Sequence, residues 1–180
     1  MKQIYFVLTD TGTILSKIIK TFMKDEYAHV SIALDKELNQ MYSFGRLNPY
    51  NPIIGGLVHE GIYIGTFKRF YKTKAIIIEY EITDEQFEKL KQILLEMWKN
   101  KNKYKFNKIG LIAVYFNRKI KRDNYFYCAE FIKDITEKSN INLNLPEIPR
   151  PENFKDIDGG VIYKGLLNKY NKKRRLIKYE

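Results

Sequence analysis

The sequence predicts an α+β domain, and three observations carry that prediction. Strand-like runs and helix-period runs follow one another without the strict strand–helix–strand rhythm of a parallel sheet. Two short alternating runs, Ala28–Leu34 and Met41–Gly45, are close enough to pair as a hairpin. All 180 residues run without an internal repeat or a low-complexity linker, which suits one domain over 1–180 with a basic tail at 171–180.

Taken in order, Gln3–Thr9 (QIYFVLT) is short, aromatic and β-branched, as a buried strand is. Asp10-Thr11-Gly12 makes a turn, and Thr13 is placed to cap a helix over Ile14–Lys24, where Ile14, Leu15, Ile18, Ile19, Phe22 and Met23 share one face. In Ala28–Leu34, His29, Ser31 and Ala33 fall on one side and Val30, Ile32 and Leu34 on the other. Asp35–Asn39 is the loop of the hairpin. Asn48–Gly56, rich in Pro, Asn and Gly, reads as a second loop. Ile62–Phe67 and Ala75–Ile82 read as strands.

Thr83 and Gln86 form a capping box for a helix reaching Asn100, with Phe87, Leu90, Leu94, Met97 and Trp98 as its apolar stripe. The lysine-rich stretch that follows reads as a solvated loop. Ile109–Phe116 suits a buried strand or a buried helix equally. Ala129–Ser139 has helical spacing, with Phe131, Ile132 and Ile135 facing inward. Pro146, Pro149 and Pro151 enforce an extended crossing before a last ordered element at Val161–Tyr170.

Composition narrows the class of protein. Hydrophobic residues make up 44% and aromatics 14%, which excludes a disordered or collagen-like chain. A single cysteine excludes a disulfide framework and a four-thiolate zinc site. The longest apolar run, Ile109–Phe116, is far too short to span a bilayer, and no small-residue cleavage site follows the N-terminal apolar run. A cytoplasmic protein is the expectation. The net charge of +11 is uneven: Lys99–Arg122 carries +9 and Val161–Glu180 carries +6. Two basic patches on a mildly acidic body suit an anionic surface, and they also suit compositional drift in a chain rich in Lys, Asn and Ile. Without a recognised nucleic-acid motif, no specific nucleic-acid partner is expected.

Few side chains here can do covalent chemistry. Cys128 lies in Tyr125-Phe126-Tyr127-Cys128-Ala129-Glu130, at an aromatic approach to a helix start. Unsatisfied N–H groups and the positive end of the macrodipole favour a thiolate at that place. A small buried hydrophobe is the alternative fate of such a residue. His29, held mid-strand, suits a general base for a thiol. His59, in Gly55-Gly56-Leu57-Val58-His59-Glu60-Gly61, reads as a surface histidine; with no second histidine at helical spacing, no metal site and no cofactor are expected.

These residues resemble the circularly permuted papain-like superfamily, in its permuted NlpC branch with YiiX-like and lecithin:retinol acyltransferase-like relatives. The strand Ala28–Leu34, the strand Met41–Phe44 and the Tyr127-Cys128-Ala129-Glu130-Phe131-Ile132 helix start carry the resemblance, over roughly residues 3–135. His29 precedes Cys128 by 99 residues, which is the permuted order. The resemblance implies an antiparallel papain-like sheet or barrel with flanking helices. It implies a cysteine amidase, peptidase or acyl-transfer enzyme in which Cys128 attacks a carbonyl, His29 moves the proton and helix-start N–H groups hold the oxyanion. A third residue orients the imidazole; threading the hairpin assigns Ser43, with Glu60 in reserve if its loop folds back. Tyr127 and Tyr125 flank the nucleophile as candidate pocket walls, and Arg46 is placed to meet a substrate carboxylate or phosphate. The substrate expected is a small peptide, a peptidoglycan-like fragment or a lipid acyl group. A non-catalytic basic module binding anionic lipid or nucleic acid, with Tyr104, Phe106, Tyr115 and Phe116 interleaved for stacking, is the competing class.

Overall fold

The structure, a computed structural model, describes residues 1–13 and 25–170. The predicted helix over Ile14–Lys24 and the basic tail at 171–180 lie outside the described residues. The α+β prediction holds. Six strands form one sheet: β1 (Lys2–Asp10), β2 (His29–Ala33), β3 (Met41–Asn48), β4 (Asn51–Glu60), β5 (Lys74–Ile82) and β8 (Gly160–Leu166), in the order β4-β3-β2-β1-β5-β8. Every neighbouring pair in it is antiparallel. Two further short strands, β6 (Lys105–Phe106) and β7 (Tyr125–Phe126), pair in parallel. The described helices are α1 (Gly65–Arg69), α2 (Asp84–Lys99), α3 (Lys108–Tyr115) and α4 (Cys128–Lys138), with short 3-10 turns between elements.

β1 explains its own sequence. Its residues from Ile4 to Asp10 are buried, because the strand lies between β2 and β5 and both faces of the sheet are covered. Ile4, Phe6 and Leu8 join the larger core cluster, with Val30, Ile32, Leu90, Leu94, Phe131 and Ile132. Tyr5 and Val7 join a smaller one with Ala33, Met41 and Phe67. A strand buried on both faces reads as a continuous apolar run rather than an alternation. α2 opens as the sequence predicts: Thr83 Oγ1 accepts from Gln86 N–H at 3.1 Å, and Gln86 Oε1 accepts from Thr83 N–H at 2.9 Å. Leu90, Leu94 and Met97 are buried along it, whereas Phe87 and Trp98 are half-buried at its flanks.

Three expectations are corrected. Asn48–Gly56 is no loop: only Pro49 and Tyr50 turn, and β4 continues from Asn51 to Glu60, paired with β3 through Asn48–Asn51 and Met41–Glu60. β4 is an edge strand, where proline and glycine are tolerated, and its glycines admit a neighbour at close range. A Cβ on Gly55 would lie 2.9 Å from Phe106 Cβ and 3.0 Å from the Gly45 carbonyl oxygen. Ile62–Phe67 is a turn leading into α1, not a strand; Gly65 adopts a positive φ of 53° at the junction. The lysine-rich stretch is partly ordered, with a 3-10 turn at Lys101–Lys103 followed by β6. The ambiguous Ile109–Phe116 resolves as α3, opened by Asn107, whose Oδ1 accepts from Gly110 N–H at 2.9 Å.

Candidate active site

α4 packs across β2 and β3, burying Phe131, Ile132 and Ile135 against Val30, Ile32 and Phe44. That packing fixes where the helix begins, and Cys128 is its first residue. The thiol is buried, with 4% of the residue exposed. Glu130 reaches back to accept from the Tyr127 N–H at 3.4 Å, tying the turn that presents Cys128. Asn107 Nδ2, held also by the Ile120 carbonyl at 3.0 Å, approaches the same Glu130 carboxylate at 3.5 Å.

His29 opens β2, paired with Thr9 of β1. The segment before it is clamped by the proline-rich crossing. Glu152 Oε2 accepts from the Glu26 and Tyr27 N–H groups at 3.0 and 3.2 Å, and Arg150 pairs with buried Asp25 at 3.3 Å. Glu60 closes β4. Its carboxylate oxygens lie 3.3 and 3.4 Å from His29 Nε2, with side-chain exposures of 20% for His29 and 10% for Glu60. Ser31, fully buried, donates to Glu60 Oε2 at 2.5 Å. With Nε2 turned to the carboxylate, Nδ1 is the ring nitrogen left for the thiol, and Cys128 lines the same cavity as the imidazole, near enough to raise its pKa.

Electrostatics follow from this crowding. Burial by itself pushes the His29 pKa down. The Glu60 charge and the hydrogen bonds with Cys128 and Glu60 outweigh it and lift the imidazole to about 10. Burial likewise pushes the Glu60 carboxyl up, but the His29 charge and the hydrogen bonds from His29 and Ser31 hold it below its ordinary value. The two groups therefore sustain each other as imidazolium and carboxylate.

The predicted site residues separate into those that meet and those that do not. Cys128, His29, Glu60 and Arg46 line one cavity of about 110 Å³, walled by Phe44, Phe67, Phe106 and Leu111. The reserve candidate Glu60, not Ser43, stands against the imidazole. Ser43 is fully buried and its hydroxyl makes no hydrogen bond of good geometry, although it is near enough to the Glu60 carboxylate to favour the ionised form. A Cβ on Gly45 would lie 3.3 Å from Ser43 Oγ and 3.4 Å from Glu60 Oε1, so the bare backbone there leaves the carboxylate its room. Tyr127 is a buried core residue; burial and the Glu130 charge raise its phenol, keeping it neutral. Tyr125 lies elsewhere, under the Arg122 guanidinium at 3.7 Å from its ring centre, on the wall of a second, larger cavity of about 590 Å³. His59 is exposed as expected, donating through Nε2 to the Asn39 carbonyl at 2.7 Å. Among the described residues no group of three or more His, Cys, Asp or Glu side chains is arranged to hold a metal ion.

The sequence reading missed Ser31, Phe106 and Gly55. The period-2 alternation of β2 already put Ser31 beside His29, so a signal for it was present. Phe106 and Gly55 meet only through the pairing of distant strands. The first basic segment does not stand as a clean positive patch: Arg118, Lys119, Lys121 and Arg122 share the larger cavity with Glu96, Glu130, Asp134 and Glu137, and Lys119 pairs with Glu147 at 3.1 Å. Tyr104 and Phe106 pack against the core instead of presenting a stacking face. Among the described residues no helix is long and apolar enough to cross a membrane. Neither a protein-family model nor a curated protein matches the chain.

Proposed function

We propose that the chain is a thiol-dependent hydrolase of amide bonds, working through an acyl-enzyme on a circularly permuted papain-like domain of the NlpC branch. The observation that carries this reading is the placement of His29 between the Glu60 carboxylate and the Cys128 thiol at the start of an eleven-residue helix. Glu60 takes the orienting role, and Ser31 holds Glu60.

Cys128 thiolate attacks the amide carbonyl carbon, forming the S–C bond while the π electrons move onto oxygen. N–H groups of the first turn of α4 receive that oxyanion. The oxyanion collapses, the C–N bond breaks, and His29 imidazolium gives its proton to the leaving nitrogen. Water then attacks the thioester, passing a proton to His29, and the thiolate departs to leave a carboxylic acid product. An acyl acceptor other than water would make the same site a transferase, and the apolar walls at Phe44, Phe67 and Phe106 suit an acyl group in either case. One unpaired cysteine suits a reducing compartment, so we place the protein in the cytoplasm.

The test is iodoacetamide alkylation of Cys128 against pH, in the native protein and in His29→Ala. The single cysteine makes the signal unambiguous. Rapid alkylation persisting well below the pH at which a free thiol (pKa about 8.5) ionises, and lost in His29→Ala, supports the reading. A slow reaction rising only at alkaline pH, or one indifferent to His29, overturns it.

A further inference from the structure

The cavity that holds Cys128 also holds a guanidinium that has no counter-ion among the described residues. Arg46 sits on β3 opposite Gly55, beside a register shift between Arg46 and Asn48. Its Nη2 donates to Thr13 Oγ1 at 3.0 Å, and its guanidinium lies 5.5 Å from the Phe70 ring centre. Arg69, at the end of α1, places a second guanidinium 5.3 Å from the same ring and 3.8 Å from that of Tyr50. Among the described residues neither arginine forms an ion pair with a carboxylate, although nine other basic groups do. Burial and the Arg69 charge both act against the Arg46 charge. Two like charges beside one aromatic ring, with no carboxylate paired to either among the described residues, are relieved by binding an anion.

Resting on the thiol-hydrolase reading, we infer that the substrate carries a carboxylate beside the scissile carbonyl, held by Arg46 with Arg69 behind it. A guanidinium fork matches a carboxylate bidentately, and the aromatic faces hold the fork in place. The size of the cavity points to the kind of molecule. About 110 Å³ is small against the roughly 300–1,000 Å³ of a drug-sized pocket, so the apolar walls suit one short side chain or acyl stub. A small N-acyl amino acid or the carboxyl end of a short peptide fits that description; a long lipid chain does not.

Alkylation by a charged and a neutral reagent reads this directly. Iodoacetate and iodoacetamide undergo the same displacement, in which the Cys128 sulfur bonds to carbon and iodide leaves, but only iodoacetate carries a carboxylate. The ratio of the two rates, iodoacetate to iodoacetamide, is expected to fall about tenfold in Arg46→Met, the scale of one charge-assisted hydrogen bond. It falls less in Arg69→Met, and is unchanged in Lys89→Met, which removes an exposed charge on α2. Acetate is expected to slow the iodoacetate reaction at least as well as inorganic phosphate. A ratio insensitive to Arg46, or one that falls equally in Lys89→Met, overturns the carboxylate subsite while leaving the activated thiol intact. Protection about tenfold better by phosphate than by acetate overturns the choice of carboxylate. Failure of both reagents to alkylate near neutral pH overturns the thiol reading itself and this inference with it.

Discussion

Ser31 donates to the Glu60 carboxylate at 2.5 Å, two residues along β2 from the histidine that the same carboxylate approaches. The strand thus supplies both His29 and the group that anchors its carboxylate partner. An alternating strand places residues i and i+2 on one face, so a single element sets two of the three positions.

Replacing Glu60 by Gln keeps the shape of that anchor and removes its charge. Without the carboxylate, burial prevails at His29 and its pKa falls. Alkylation of Cys128 at pH 6 is expected to drop about tenfold or more, since a loss of one pKa unit is a factor of ten. An unchanged pH profile would mean that Glu60 does not act through His29.

Cys128→Ala is expected to fold normally, because a small buried side chain becomes smaller. The cost is about 1 kcal/mol, the scale of a buried group of that size. It should also lower the His29 pKa, which the thiol helps to raise. An NMR titration of the two histidines, with His59→Gln to assign them, checks both statements.

The two serines are predicted to differ. Ser31→Ala removes a short hydrogen bond to a buried carboxylate and should cost about 1.5–3 kcal/mol, the usual scale for hydrogen bonds to charged groups. Ser43→Ala removes a hydroxyl without a hydrogen bond of good geometry and should cost less than about 1 kcal/mol. Urea unfolding of both variants, beside alkylation at pH 6, tests the contrast; a larger loss for Ser43 would return the orienting role to it.

The His29–Glu60 pair gives stability a particular pH dependence. His29 is raised in the folded state, so its contribution is complete below its unfolded value near 6.5 and is lost as pH climbs toward about 10. Glu60 is lowered, so its contribution is present above its unfolded value and is lost as pH falls into the acid range. The urea midpoint should therefore decline between pH 7 and 10 more steeply in the native protein than in Glu60→Gln. Parallel declines would contradict the pairing.

Gly55→Ala is expected to destabilise the fold by about 1–3 kcal/mol, the usual cost of overpacking, because its Cβ would press on Phe106 and on the Gly45 backbone. In thermal unfolding that is a drop of several degrees, at roughly 2–4 °C per kcal/mol for a chain of this size. Phe106 walls the Cys128 cavity, so alkylation should slow as well.

Much of this arrangement was legible in the sequence, because it depends on local rules. The β2 alternation, the Thr83–Gln86 capping box and the helix beginning at Cys128 are each decided by a few neighbouring residues, and each lies where the sequence puts it. Glu60 is only the reserve candidate in the sequence because its segment reads as a glycine-rich loop. Those glycines serve contacts with β6 and β3, which arise from pairings some 50 residues away in one case. The likeness of Ile109–Phe116 to strand and helix was settled by the Asn107 cap and the packing around it, not by its uniform hydrophobicity.

The sheet order has a consequence for when the site comes to exist. β2, β3 and β4 are joined in sequence by short turns, so His29, Ser31 and Glu60 come from one stretch of about 30 residues with low contact order. Cys128 arrives from another part of the chain and reaches them only when α4 docks on β2 and β3. During synthesis His29 and its carboxylate can assemble while Cys128 is still unmade. On the proposed reading, a chain in which α4 has not docked carries an ordinary thiol, and its reactivity waits on that contact.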